Sequence, residues 1–291
     1  MWKRVVAVAL GGGLVVAGGF ALRDHHPPAP PPAGTIAYSA PGFRDVLVAR
    51  TVGSGVRRLT SAPGPQFDPS FSPDGRLIAY RDSRHGINHD DEIWVMDRDG
   101  AHARNLTRDH GNDWSPAWSP DGRTIAFAST RSGALELWTM ASDGSNPARL
   151  SSSPAEYPSW SPDGSRVAFS LVTAGAVQIA IVRRSGQGER ILTPLTENSE
   201  LPAWSPDGSL IAFSRGFEGR RTIWTIKPDG TEAHRITKPG GDDVAPAWSP
   251  DGRYIVFARR QRLTIMRADG SGVRSLGLAG SLPAWTHESR P

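Results

Sequence analysis

Five carboxylates stand just ahead of a recurring proline. Asp68 lies one residue before it, Glu156 and Glu200 two before, and Asp113 and Asp243 three before. If the fold gathers them, they make an acidic ring that attracts a cation or the basic groups of a partner. These five are the candidate binding residues. A second set, Asp74, Asp121, Asp163, Asp207 and Asp251, sits in repeated Ser-Pro-Asp-Gly. Proline presets the turn, aspartate bonds nearby backbone and glycine takes the left-handed position, so these acids read as turn chemistry.

Other candidate chemistry is thinner. The stretch RHGINHDDEIW, residues 84–94, carries His85, His89, Asp90, Asp91 and Glu92. Imidazole and carboxylate can bind a divalent metal. On a loop, however, the His spacing does not guarantee a common face, so no metal site is assigned. Asp97 to Gly100 starts like a calcium loop but lacks the downstream glutamate and reads as a hairpin turn. No Gly-x-Ser-x-Gly elbow is present, no catalytic residue is assigned and no cofactor is expected. The eight histidines, at 25, 26, 85, 89, 102, 110, 234 and 287, are mostly unmatched between repeats.

What must position these residues is a repeat. DPSFSPDGRLIAY, SPAWSPDGRTIAF, YPSWSPDGSRVAF, LPAWSPDGSLIAF and APAWSPDGRYIVF carry their aromatic markers at Phe71, Trp118, Trp160, Trp204 and Trp248, which are 47, 42, 44 and 44 residues apart. Each unit reads as four short strands: Pro-Ala-Trp-Ser, an alternating strand such as RTIAFAS, a third such as ELWTM, and a fourth such as PARLS. Four antiparallel strands in about 40–45 residues make the blade of a β-propeller. The two ends complete each other. Residues 34–60 supply a second, third and fourth strand, and LPAWT at 282–286 supplies only a first. The expectation is an all-β, six-bladed propeller over 34–291, closed by the C-terminal strand completing blade 1.

The repeated P-x-W-S-P-D-G-x-x-I-A-F, followed by D-G and L-T, resembles the TolB-type, WD40-like (PD40) propeller repeat. The resemblance covers about residues 34–286. The chain lacks the Trp-Asp dipeptide and Gly-His pair of true WD40 arrays. TolB-like proteins carry an α/β domain ahead of the propeller, whereas only a short spacer precedes it here. The resemblance implies a binding scaffold and names no ligand.

The chain has 291 residues, 32 Gly, 25 Pro, 10 Trp and no Cys, so disulfides and thiolate metal sites are excluded. The net charge of +4 is concentrated near the start: without Lys3, Arg4 and Arg23, 30 basic residues face 29 acidic ones. No nucleic-acid partner is expected. MWKR followed by the uncharged residues 5–22 reads as a signal peptide or membrane anchor over 1–23, and 24–33 as a proline-rich linker. The propeller is therefore expected outside the cytoplasm, periplasmic, secreted or anchored, and monomeric. The expected function is non-enzymatic recognition of a protein or peptide, basic in character, at the channel mouth, with a divalent cation as another occupant. The alternatives are a carbohydrate- or small-ligand-binding module, or a metal-dependent polysaccharide lyase-like enzyme.

Overall fold

The computed structural model describes residues 33–84, 91–108 and 111–287. The N-terminal segment, most of the linker and the loop residues 85–90 lie outside them. The strands follow the repeat. Blade 1 takes β1 (Gly34–Ser39), β2 (Val46–Arg50) and β3 (Arg57–Arg58). Blade 2 is β4 (Gln66–Phe71), β5 (Leu77–Asp82), β6 (Glu92–Asp97) and β7 (Arg104–Asn105). Blade 3 is β8 (Asp113–Trp118), β9 (Thr124–Ser129), β10 (Glu136–Ala141) and β11 (Ala148–Ser151). Blade 4 is β12 (Ala155–Trp160), β13 (Arg166–Thr173), β14 (Ala176–Arg183) and β15 (Arg190–Ile191). Blade 5 is β16 (Ser199–Trp204), β17 (Ile211–Arg215), β18 (Thr222–Ile226) and β19 (His234–Arg235). Blade 6 is β20 (Asp243–Trp248), β21 (Tyr254–Arg259), β22 (Arg262–Arg267) and β23 (Arg274–Ala279).

The last strand, β24 (Ser281–His287), returns to blade 1 and pairs antiparallel with β1, setting Trp285 opposite Ile36 and Ala284 opposite Ala37. Six four-stranded antiparallel sheets result, and blade 1 has the order β24-β1-β2-β3. The six-bladed propeller and its closure by the C-terminal strand are therefore as expected. No helix among the described residues is long and apolar enough to cross a membrane.

Local chemistry explains each turn. In every Ser-Pro-Asp-Gly the serine hydroxyl donates to the aspartate, at 2.5–2.6 Å. The same carboxylate oxygen accepts the backbone N–H two residues on, for example Arg123 at 3.0 Å and Ser209 at 3.0 Å. These bonds favour the ionised form, and the serine hydroxyl is the main reason Asp74, Asp121, Asp163 and Asp207 are held below the usual carboxylate range. The Leu/Ile-Thr pair that directly follows the short fourth strand in blades 1, 2, 4 and 5 has a partner role. Thr60, Thr107, Thr193 and Thr237 each accept the third-strand N–H of Val46, Ile93, Ile179 and Ile223 at 2.9 Å.

The core is divided among the blade interfaces. Ala126, Leu137 and Leu150 of blade 3 meet Trp160, Val167 and Phe169 of blade 4. Ile36, Tyr38 and Ala49 of blade 1 meet Val256, Leu263 and Ile265 of blade 6, which buries the closing seam like the others. Blades approach closely at the outer hairpins. Gly53 has φ +80°, and a Cβ there would lie 2.2 Å from the Leu276 carbonyl oxygen of blade 6. Only glycine fits that backbone and that gap.

Candidate functional site

The residue before the repeat proline is left-handed in all six blades. Asp68, Ser115, Tyr157, Leu201, Ala245 and Leu282 have φ between 48° and 58°. Proline disfavours the right-handed helical region for its predecessor. Each inner strand also carries a bulge at this point, as between Phe67 and Ser70 or Glu156 and Ser159. An extra residue in one strand re-aims side chains. All six of these residues, and all six prolines that follow, line one axial cavity of about 340 Å³. The cavity extends to the Ser-Pro turns at Pro120 and Pro162. This column was missed in the sequence. Its signal was a position that varies from blade to blade directly ahead of a constant proline.

The five candidate acids do not form one ring. Asp68 lines the cavity and is 7% exposed. Burial is the main reason its carboxyl is pushed up to about 6; Arg81 and the Ser115 hydroxyl pull it down, and Glu156 pushes it further up. Glu156 and Glu200 stand one position earlier in β12 and β16 and are not among the cavity-lining residues. Burial raises the Glu156 pKa, against a hydrogen bond from the Trp114 indole and the Arg81 charge, while Glu200 adds repulsion. Asp68 and Glu156, and Glu156 and Glu200, thus sense each other across blades. Tyr157 sits among them. Its hydroxyl is raised by burial first and then by Asp68, Glu156 and Glu200.

Asp113 and Asp243 go elsewhere. Both are fully buried, and each is held by an arginine at the end of its own blade's second strand or just beyond it. Arg131 reaches Asp113 at 2.9 Å, and Arg259 forks onto Asp243 at 2.6 and 2.8 Å. Their distance from the proline decides this. Three residues upstream of it, the carboxylate faces the partner strand and not the axis. Glu200 is intermediate: Arg221 contacts it at 3.0 Å and also bonds Asp242 at 2.9 Å.

Sequence reading also missed Arg81, on β5. It is buried, stands over the Phe67 ring at 4.5 Å and the Trp114 ring at 5.5 Å, and pairs with Asp91. Its charge reaches Asp68 and Glu156, yet neither acid forms an ion pair among the described residues. Of the loop acids considered for metal, Asp91 belongs to Arg81 and Ser83, and Glu92 accepts a hydrogen bond from Thr107 at 2.6 Å. His85, His89 and Asp90 lie outside the described residues. Among the described residues no group of three or more His, Asp or Glu is placed to hold a metal ion.

Solved structures share this architecture. TolB from Acinetobacter baumannii superposes with a TM-score of 0.74 at 23% identity, covering 88% of this chain and 67% of its own. A putative TolB from Agrobacterium tumefaciens gives 0.70 at 21% identity, covering 86% and 91%. Oligogalacturonate lyase from Vibrio parahaemolyticus gives 0.58 at 12% identity, covering 83% and 78%. At these identities the likeness is one of fold. No curated protein sequence matches the chain. The model of the TolB beta propeller domain matches residues 28–200 and 152–286, most of the described blades, and the chain belongs to that family.

Proposed function

We propose that the protein is a non-enzymatic binding scaffold, acting outside the cytoplasm, whose partner offers lysine or arginine to the mouth of the central channel. One observation carries this reading. Asp68 and Glu156 come from different blades, are both raised by burial and repel each other, while their nearest cation, Arg81, is committed to Asp91. An incoming positive group relieves that repulsion. A divalent cation would do the same. Glu200 extends the acidic side toward blade 5, partly offset by Arg221.

The test is a lysine-rich peptide titrated into the propeller at low and at moderate salt. Binding is expected to weaken with salt, because the mouth is partly wet. Replacing both Glu156 and Glu200 by Gln should weaken it about ten-fold, as expected for losing charge-assisted hydrogen bonds. The melting temperature should stay the same or rise slightly. Undiminished binding by the double variant at low salt places the partner elsewhere. A carbohydrate reading is kept alive by the fold shared with the lyase. Incubation with oligogalacturonate, followed by absorbance of unsaturated product, decides between the two.

The extracytoplasmic placement is supported by the basic start and the apolar residues 5–22. Residues 1–33 fused to a reporter active only outside the cytoplasm should give signal. A reporter that remains soluble and inactive inside the cell removes the export reading.

A further inference from the structure

Beyond the mouth, the axial cavity has a chemistry of its own. Glu156 and Glu200 do not line it. Its wall is proline and alanine with the rings of Trp118, Trp160 and Tyr157, the side chains of Leu201 and Leu282, and a few serines. Asp68 is the one charged residue among those lining it. That carboxylate is poorly satisfied. Oδ1 has no hydrogen-bond partner, and the carboxylate's hydrogen-bond support comes from Ser115 alone, its hydroxyl reaching Oδ2 at a long 3.4 Å and its backbone N–H adding a lesser contribution. Arg81 is paired with Asp91 and neutralises it only at a distance. A buried acceptor left in this state is costly and is relieved by a matched donor.

The composition of the wall narrows the donor. A hard divalent ion wants six or more oxygen ligands, and an apolar wall with one carboxylate does not supply them. A sugar wants many converging polar groups, and these too are few. An ammonium group wants one carboxylate and gains from nearby aromatic faces. At about 340 Å³ the space is at the small end for ligand pockets, which run from about 300 to 1,000 Å³.

We propose that the axial cavity binds a small organic amine, its apolar body against Trp118, Trp160 and the proline ring and its ammonium group on Asp68. In this arrangement Asp68 discriminates for charge, and the prolines and tryptophans discriminate for shape. The site shares Asp68 with the mouth but not Glu156 or Glu200, which do not line the cavity.

The experiment uses phenethylamine and its neutral counterpart 2-phenylethanol, at pH 8, where the amine is protonated. Trp118 and Trp160 line the cavity, so tryptophan fluorescence reports occupancy, with calorimetry as a second readout. Phenethylamine should saturate and bind about ten-fold more tightly than the alcohol. Asp68→Asn should erase that preference while leaving the alcohol's affinity unchanged. Ala203→Leu, which fills the wall without touching the charge, should weaken both. Equal binding of amine and alcohol to the wild type overturns the proposal, as does the absence of any saturable change. So does an Asp68→Asn protein, folded by near-UV circular dichroism, that still prefers the amine. The wild-type comparison decides even if Asp68→Asn fails to fold. A lysine-rich peptide that binds while both small probes fail leaves the mouth reading standing and removes this one.

Discussion

Asp68 concentrates the conflict between fold and charge in one side chain. It is buried, left-handed in backbone, and held without an ion pair of its own among the described residues. Its carboxyl moves from 3.8 to about 6 in the folded protein, burial being the largest cause. A raised carboxylate pKa means that the folded state disfavours the charge. The penalty is absent below about 4, grows between about 4 and 6, and is fully present above that. The rise corresponds to about 3 kcal/mol at most. Asp68→Asn should therefore stabilise the protein at pH 8 by up to about 3 kcal/mol, with the gain vanishing near pH 4. Urea melts of both proteins at the two pH values measure it. A difference that does not change with pH would show that the Asp68 carboxyl titrates alike in the folded and unfolded states, so that burial does not penalise its charge. Asp113 and Asp243 are placed differently: Arg131 pairs with the first at 2.9 Å and Arg259 with the second at 2.6 Å. Of two buried acids, the one given an arginine is structural and the one left without is available.

At the scale of the element, the blade is assembled by a small set of side-chain bonds to backbone. Thr193 is 3% exposed, and its hydroxyl takes the Ile179 N–H at 2.9 Å. The fourth strand of that blade has only two residues in regular pairing, Arg190 and Ile191. The threonine thus replaces a ladder bond where the strand is too short to provide one. Thr193→Val keeps shape and volume but leaves a buried N–H without an acceptor. It should cost about 1–3 kcal/mol, read as a lower denaturation midpoint with an unchanged slope. No loss would mean that water reaches the Ile179 N–H, and the motif would then be a matter of shape alone.

For the whole molecule the question is how the ring holds closed. Blade 1 is built from both ends of the propeller, and its seam with blade 6 is as apolar as the others. Removing residues 281–291 strips the inner strand from blade 1 and bares the edge of β1. Cooperative unfolding should be lost, or the protein should aggregate, and adding the missing segment back as a peptide should restore part of the transition. A truncated protein melting cooperatively at the wild-type temperature would mean that closure adds nothing. Trp285 is only partly buried, so Trp285→Ala is expected to cost less than loss of the strand.

By itself, the sequence determined the repeat, the strand order, the turn chemistry and the composite blade. These depend on near neighbours: proline, aspartate and glycine act within four residues, and a missing strand at one end is visible as the extra strand at the other. The destination of the acids was decided only in three dimensions. Asp68, Glu156 and Asp243 looked equivalent as acids just ahead of a proline. The left-handed bulge at the residue before that proline turns the first into the cavity, and the third folds back onto Arg259. A one-residue offset changes the face of a strand, and the pairing of Arg81 with Asp91 instead of Asp68 is a contact between strands that linear spacing does not encode. The axial cavity exists because six blades meet there, and no single repeat contains it.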